Sequence, residues 1–167
     1  MGERTECKCP RCVAMCERRP CWPTPAEARA LIEAGYCGRL MLDWWERGEG
    51  DHDDDEGSED ILILCPAAVG YEDRWAPHNA LGRCNFLTGC GLCEIHEMKP
   101  TEGAEAICTG PNNGLDLHRR VAMTWDTPEG RDVVAQWQAS IAQRRGRRPQ
   151  TAQSAADDPA DDRPPPP

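Results

Sequence analysis

A chain of 167 residues with a net charge of −10 has the length of a single domain, and its charge repels phosphate backbones, which argues against duplex nucleic acid as a partner. Only 22 residues are Leu, Ile, Val or Phe, about 13 per cent, so a core made of these alone is marginal. Six Trp, five Met and eleven Cys argue against a random coil and point to a cross-link or metal that supplements burial.

The compartment decides between disulfides and metal. Met1 to Glu6 contains no apolar leader, Ile61 to Gly70 is too short to span a bilayer, and Glu6 stands where myristoylation wants Ser or Thr. A cytoplasmic protein without membrane association is expected. In a reducing compartment, clustered cysteines in an odd number favour metal over disulfides.

The front of the chain holds Cys7, Cys9, Cys12, Cys16 and Cys21, five cysteines within fifteen residues. Cys9 and Cys12 form a C-x-x-C pair whose thiolates reach one ion from a tight loop, and a helical turn after Cys12 brings Cys16 to the same side. Cys7 and Cys21 stay open as ligands. Thr24-Pro25-Ala26-Glu27 is a helix start with Thr24 as N-cap and Glu27 closing a capping box, and the helix is predicted to run through Ala34 and stop at Gly35. Arg39 to Glu46 reads as a second short helix that supplies Leu40, Met41, Trp44 and Trp45 to the core. Glu46 to Asp60 carries nine acidic residues. A calcium loop counted from Asp51 would need Gly at Glu56 and Glu at Leu62, so a solvated acidic loop is the reading.

Ile61 to Leu64 predicts a short buried strand, with Cys65 after it as a small buried hydrophobe. Ala67 to Gly82 reads as a loop pinned by Tyr71 and Trp75. Cys84 to Gly89 and Leu92 to His96 predict a hairpin that presents Cys84 and Cys93 together, and Cys108 returns after a loop. Cys90 also makes a C-x-x-C with Cys93 but sits in the turn. Asp116 to Trp125 carries Leu117, Val121 and Trp125 at four-residue steps, and Thr127-Pro128 starts a helix with the stripe Val133, Val134, Trp137 and Ile141 that ends at Gly146. Together these predict an α+β fold: a small, irregular, metal-stabilised domain over residues 1–146 with a short β-hairpin and about four helices. A Pro- and Asp-rich disordered tail, residues 147–167, follows.

The front cysteine knot, followed by C-x-F-L, then G-x-C-x-I-H-x-x-K-P and a later cysteine, resembles the YkgJ-type cysteine-cluster family, described as chelating zinc or iron. A related domain occurs in flagellin lysine methylases. The matching residues are Cys84, Phe86, Leu87, Gly91, Cys93, Ile95, His96, Lys99, Pro100 and Cys108, with Cys9, Cys12 and Cys16 in front. Two departures stand out. Cys12 is followed by Val13 where the family has a second adjacent cysteine, and Thr101-Glu102-Gly103 lengthens the spacing to Cys108. The resemblance implies a zinc- or iron-chelating domain over residues 7 to 108.

The expected metal ligands are thus Cys9, Cys12, Cys16, Cys84, Cys93 and Cys108, with the front and middle groups closing on one or two shared ions. Four thiolates around a tetrahedral ion make a structural zinc site, whereas six allow two ions or an iron-sulfur cluster. His96 is open as a ligand, a hydrogen-bond donor behind one, or a solvated residue. The C-x-x-C pairs do not follow a strand in a βαβ pattern, and the chain lacks a haem attachment site, a deaminase signature, H-E-x-x-H, a phosphate loop and G-x-S-x-G. The leading expectation is a cytosolic zinc- or iron-binding accessory module for a protein partner of unknown identity, with no catalytic machinery assigned. An iron-sulfur redox protein or oxidoreductase component is the alternative, and metal storage or delivery a third reading.

Overall fold

The computed structural model describes residues 9–46, 60–75, 82–106 and 114–146. Its centre is a two-stranded antiparallel sheet of β1 (Leu40–Trp45) and β2 (Ile61–Pro66), with Leu40 opposite Pro66 and Trp45 opposite Ile61. β2 is the strand expected from its apolar run, and Cys65 within it is fully buried. The helix expected over Arg39 to Glu46 is corrected to β1. Leu40, Met41 and Leu42 are buried in succession, a pattern of two covered faces that a single helical stripe does not give. The partner that decides this lies some twenty residues on, and strand preference depends on such packing more than on local propensity. Most of the acidic stretch between the strands, residues 47–59, lies outside the described residues, as do the tail and both Cys7 and Cys108.

Five α-helices accompany the sheet among the described residues: α1 (Pro10–Arg18), α2 (Pro25–Leu31), α3 (Thr101–Glu105), α4 (Leu115–Trp125) and α5 (Pro128–Gly146). The capping box of α2 is formed: Glu27 N–H donates to Thr24 Oγ1 and Thr24 N–H to Glu27 Oε2. The helix does not stay regular to Ala34. Past Leu31 it widens into a π-type turn, Ile32–Tyr36, in which Gly35 takes φ +90, and a 3-10 turn, Cys37–Arg39, then delivers the chain to β1. α4 and α5 follow the predicted stripes, burying Leu117, Val121 and Trp125, then Val133, Val134, Trp137 and Ile141. Both pack on β2, as does α2, which completes a small mixed α+β domain. The tryptophans that fill the core also satisfy their indole N–H groups: Trp125 donates to the Pro23 carbonyl at 2.7 Å and Trp137 to the Cys37 carbonyl at 2.9 Å.

The loop after β2 is held by its backbone. Leu42 N–H donates to the Arg74 carbonyl and Asp73 N–H to the Leu40 carbonyl, both at 3.0 Å. Tyr71 is half-buried, but the Trp75 side chain is 55% exposed, so it does not pin the loop as expected. Among the described residues, no helix is long and apolar enough to cross a membrane.

Candidate metal centre

The route by which the front cysteines meet the middle ones starts at β2. Its continuation pairs with a second segment, Asn85 N–H donating to the Ala67 carbonyl and Val69 N–H to the Arg83 carbonyl, both at 2.9 Å. That segment in turn reaches α1: Gly82 N–H donates to the Arg18 carbonyl at 2.7 Å and Cys84 N–H to the Cys16 carbonyl at 2.8 Å. These bonds satisfy carbonyls in the last turn of α1 that have no partner within the helix. α1 itself begins with Pro10 at its first position, and Cys9 precedes it as the N-cap residue. Cys12 and Cys16, one helical turn apart, face the same side.

The hairpin expected across Cys84 to His96 is corrected to a tight loop with one bridge, Leu87 opposite Cys93, followed by a 3-10 turn over His96–Met98. Thr88 dominates the loop. Its N–H donates to the Leu92 carbonyl at 2.8 Å and its Oγ1 accepts from Leu92 N–H at 3.0 Å, while Gly91 takes φ +76. A side chain that satisfies the loop's own backbone competes with ladder bonds, which is why strands do not extend here. Arg39 secures the loop from outside. Its guanidinium forms a two-pronged pair with Glu94 at 2.7 and 3.0 Å, donates to the Asn85 carbonyl at 2.6 Å, and lies 3.9 Å from the Phe86 ring centre.

Cys12, Cys16, Cys21, Cys93 and His96 line one cavity of about 120 Å³, with Lys99 and Gly103 completing its rim. Gly103 belongs to α3, which is held by Glu27: Thr101 N–H and Oγ1–H donate to its carboxylate at 3.0 and 2.8 Å. A Cβ at Gly103 would stand 3.0 Å from the Cys21 Sγ, so a side chain there would press the sulfur aside by a few tenths of an ångström.

The thiols differ in acidity. A hydrogen bond from Cys21 pulls Cys16 down to about 7, with burial opposing and the Lys99 charge assisting. The same bond, with burial, pushes Cys21 well up. Burial pushes Cys84 up to about 12 against the backbone N–H groups of Phe86 and Leu87, and raises Cys93 too. Near neutral pH Cys16 is therefore a partial thiolate beside the neutral thiols of Cys21, Cys84 and Cys93. Cys84 and Cys93 both lie within electrostatic reach of Cys16.

Of the expected ligands, then, Cys12, Cys16 and Cys93 line the cavity, and Cys84 adjoins it through its bond to Cys16. Cys9 caps α1 and is not part of the lining, and Cys108 falls outside the described residues. Cys21 joins the group although its spacing, five residues beyond Cys16, matched no metal pattern. The only signal was its place in the front knot. Cys90 is exposed, 3.2 Å from Thr88 Oγ1. Among the described residues, no three His, Cys, Asp or Glu side chains are arranged to hold a metal ion, so the thiols share a cavity without converging on a point. The chain matches no protein-family model, and comparison with curated proteins and with solved structures finds no match.

Proposed function

We propose that this chain is a cytosolic cysteine-cluster protein that binds zinc, with Cys12, Cys16, Cys21 and Cys93 as the donor set, and that it serves as an accessory module for a protein partner. The observation that carries this reading is the common cavity: four thiols and an imidazole from two separate parts of the sequence face one small space. Soft thiolates suit zinc, and the donor chemistry fits a closed structural site. The resemblance of the cysteine pattern to the YkgJ-type family supports the same reading. Turning the side chains inward and deprotonating the neutral thiols would complete the site. The metal would supply cohesion that a chain poor in aliphatic residues otherwise lacks. Cys84 adjoins the cavity through its backbone bond to Cys16 and would be the further thiol of a larger cluster, which favours iron-sulfur as the second reading.

Elemental analysis of protein purified without oxygen tests both. A colourless sample with stoichiometric zinc, lost in Cys93→Ser, supports the zinc site. A brown sample holding iron and acid-labile sulfide supports the cluster. Protein that carries neither and takes up neither on reconstitution rejects the metal reading altogether.

A further inference from the structure

The face of α1 next to its thiols borders a second and larger cavity, about 610 Å³, between α1, the following turn and the start of α4. That volume lies in the range of small-molecule sites. Arg11, Met15 and Arg18 recur at helical spacing along this face, and Arg19 and His118 add to the same wall. Among the described residues, neither Arg11 nor Arg18 forms an ion pair. Arg19 is engaged, its guanidinium 3.0 Å from His118 Nε2.

The one carboxylate in the lining among the described residues, Glu102, is already spent. Its Oε1 is 2.6 Å from His118 Nδ1 and its Oε2 accepts from Trp22 N–H at 2.6 Å. An arginine only donates, so Nε2 of His118 accepts and its Nδ1–H points at Glu102. Both oxygens of the acid are thus engaged, and the unmatched charge of Arg11 and Arg18 in the lining is positive in a chain whose net charge is −10. The remaining lining is apolar, including Met15, Pro20, Leu115 and Leu117, and Leu115 is 70% exposed at the mouth.

We infer that this cavity binds a small organic anion, a carboxylate carried on an apolar body, with Arg11 and Arg18 taking the carboxylate and Met15, Leu115 and Leu117 the body. Guanidinium groups match a carboxylate's two oxygens, and an apolar wall beside them selects against simple inorganic anions. The site does not depend on a metal in the thiol cavity.

Isothermal titration calorimetry of the full chain with octanoate, acetate and inorganic phosphate tests it. Octanoate is expected to bind with a Kd below about 1 mM, and acetate and phosphate at least about tenfold more weakly. The double variant Arg11→Gln/Arg18→Gln should weaken octanoate about tenfold or more with unchanged circular dichroism. Leu115→Ser should weaken octanoate without altering acetate. Absence of saturable octanoate binding, octanoate binding unaffected by the arginine pair, or phosphate binding as tightly as octanoate would each overturn the inference.

Discussion

The amide of Cys84 donates to the carbonyl of Cys16 across 2.8 Å, so the middle cysteine segment is hydrogen-bonded to the helix that carries the front one. A backbone bond between two candidate ligands fixes their main chains and leaves the thiols free to turn. The closure of the two cysteine groups is therefore a property of the protein fold, on which metal would act as a lock. Removing one thiol should affect the lock more than the frame.

Cys93→Ser is accordingly expected to lose most of the zinc retained by the wild type, because the hydroxyl is a poor soft ligand. Cys65→Ala should keep full zinc content. Cys65 is fully buried in β2, and its truncation costs on the order of 1 kcal/mol through lost packing. Metal analysis beside urea denaturation of both variants checks the contrast, and equal metal loss would show that the effect is global instability.

Cys16 should be more nucleophilic in the metal-free protein than Cys21, Cys65, Cys84 or Cys93. Its pKa is drawn from the ordinary 9.0 down to about 7, so its alkylation by iodoacetamide should rise steeply toward pH 7 and level off above it. Cys65 and Cys84, both pushed up by burial, should stay unreacted over the same interval. Peptide mapping after brief alkylation at pH 6, 7 and 8 reads the order directly. Zinc should protect Cys16 completely if it is a ligand.

Metal uptake should release protons. Cys21 and Cys93 have raised pKa values and are neutral near pH 7, so zinc binding there should expel at least about two protons per ion, read with a pH indicator in weak buffer. The linkage has a definite sign: uptake weakens as pH falls, since protons and metal compete for the same sulfur. Chelation of the loaded protein should lower its Tm by about 10 °C or more, in keeping with a core that leans on the site.

Much of this architecture is legible in the sequence where the signal is local. The α2 capping box, the α4 and α5 stripes and the apolar run of β2 each require only neighbours within a few turns. β1 fails that test, because Leu40 to Trp45 offers helix and strand alike until Ile61 to Pro66 pairs with it. The loop at Thr88 fails for a related reason: one hydroxyl outbids the ladder, which no alternation of apolar residues reveals. In the candidate site, Cys12 and Cys16 follow from helical spacing. The close packing of Cys21 against Gly103, eighty-two residues away, is invisible until the chain is folded.

The network around His118 should be felt as acid sensitivity. Burial opposes the charge on Glu102, but His118, Arg19 and the Trp22 amide together hold its carboxyl below the usual range. A depressed carboxyl contributes stability above the unfolded-state value of about 4.5 and loses it as pH falls through the folded value. Glu102→Gln should therefore cost about 1–3 kcal/mol at pH 7, and the difference from wild type should shrink below about pH 4. Urea denaturation at pH 7 and pH 3.5 decides it. An equal difference at both values would assign the loss to packing and not to the charge.

Gly130 supplies the sharpest test of the α4–α5 corner. It sits one turn into α5, its N–H donating to Thr127 Oγ1 at 3.1 Å, and a Cβ built there would overlap the backbone carbonyl of Trp125. Backbone cannot swing aside as a flexible side chain does, so Gly130→Ala must push the helix start away from the end of α4. The push would be felt by Trp125, whose indole N–H holds the Pro23 carbonyl and so ties this corner to the entrance of α2. Helix propensity alone would favour alanine by up to about 1 kcal/mol. The overlap is expected to outweigh that and leave the variant about 2 kcal/mol or more less stable. A Gly130→Ala protein as stable as wild type would mean that α4 and α5 meet at a looser corner than the one described.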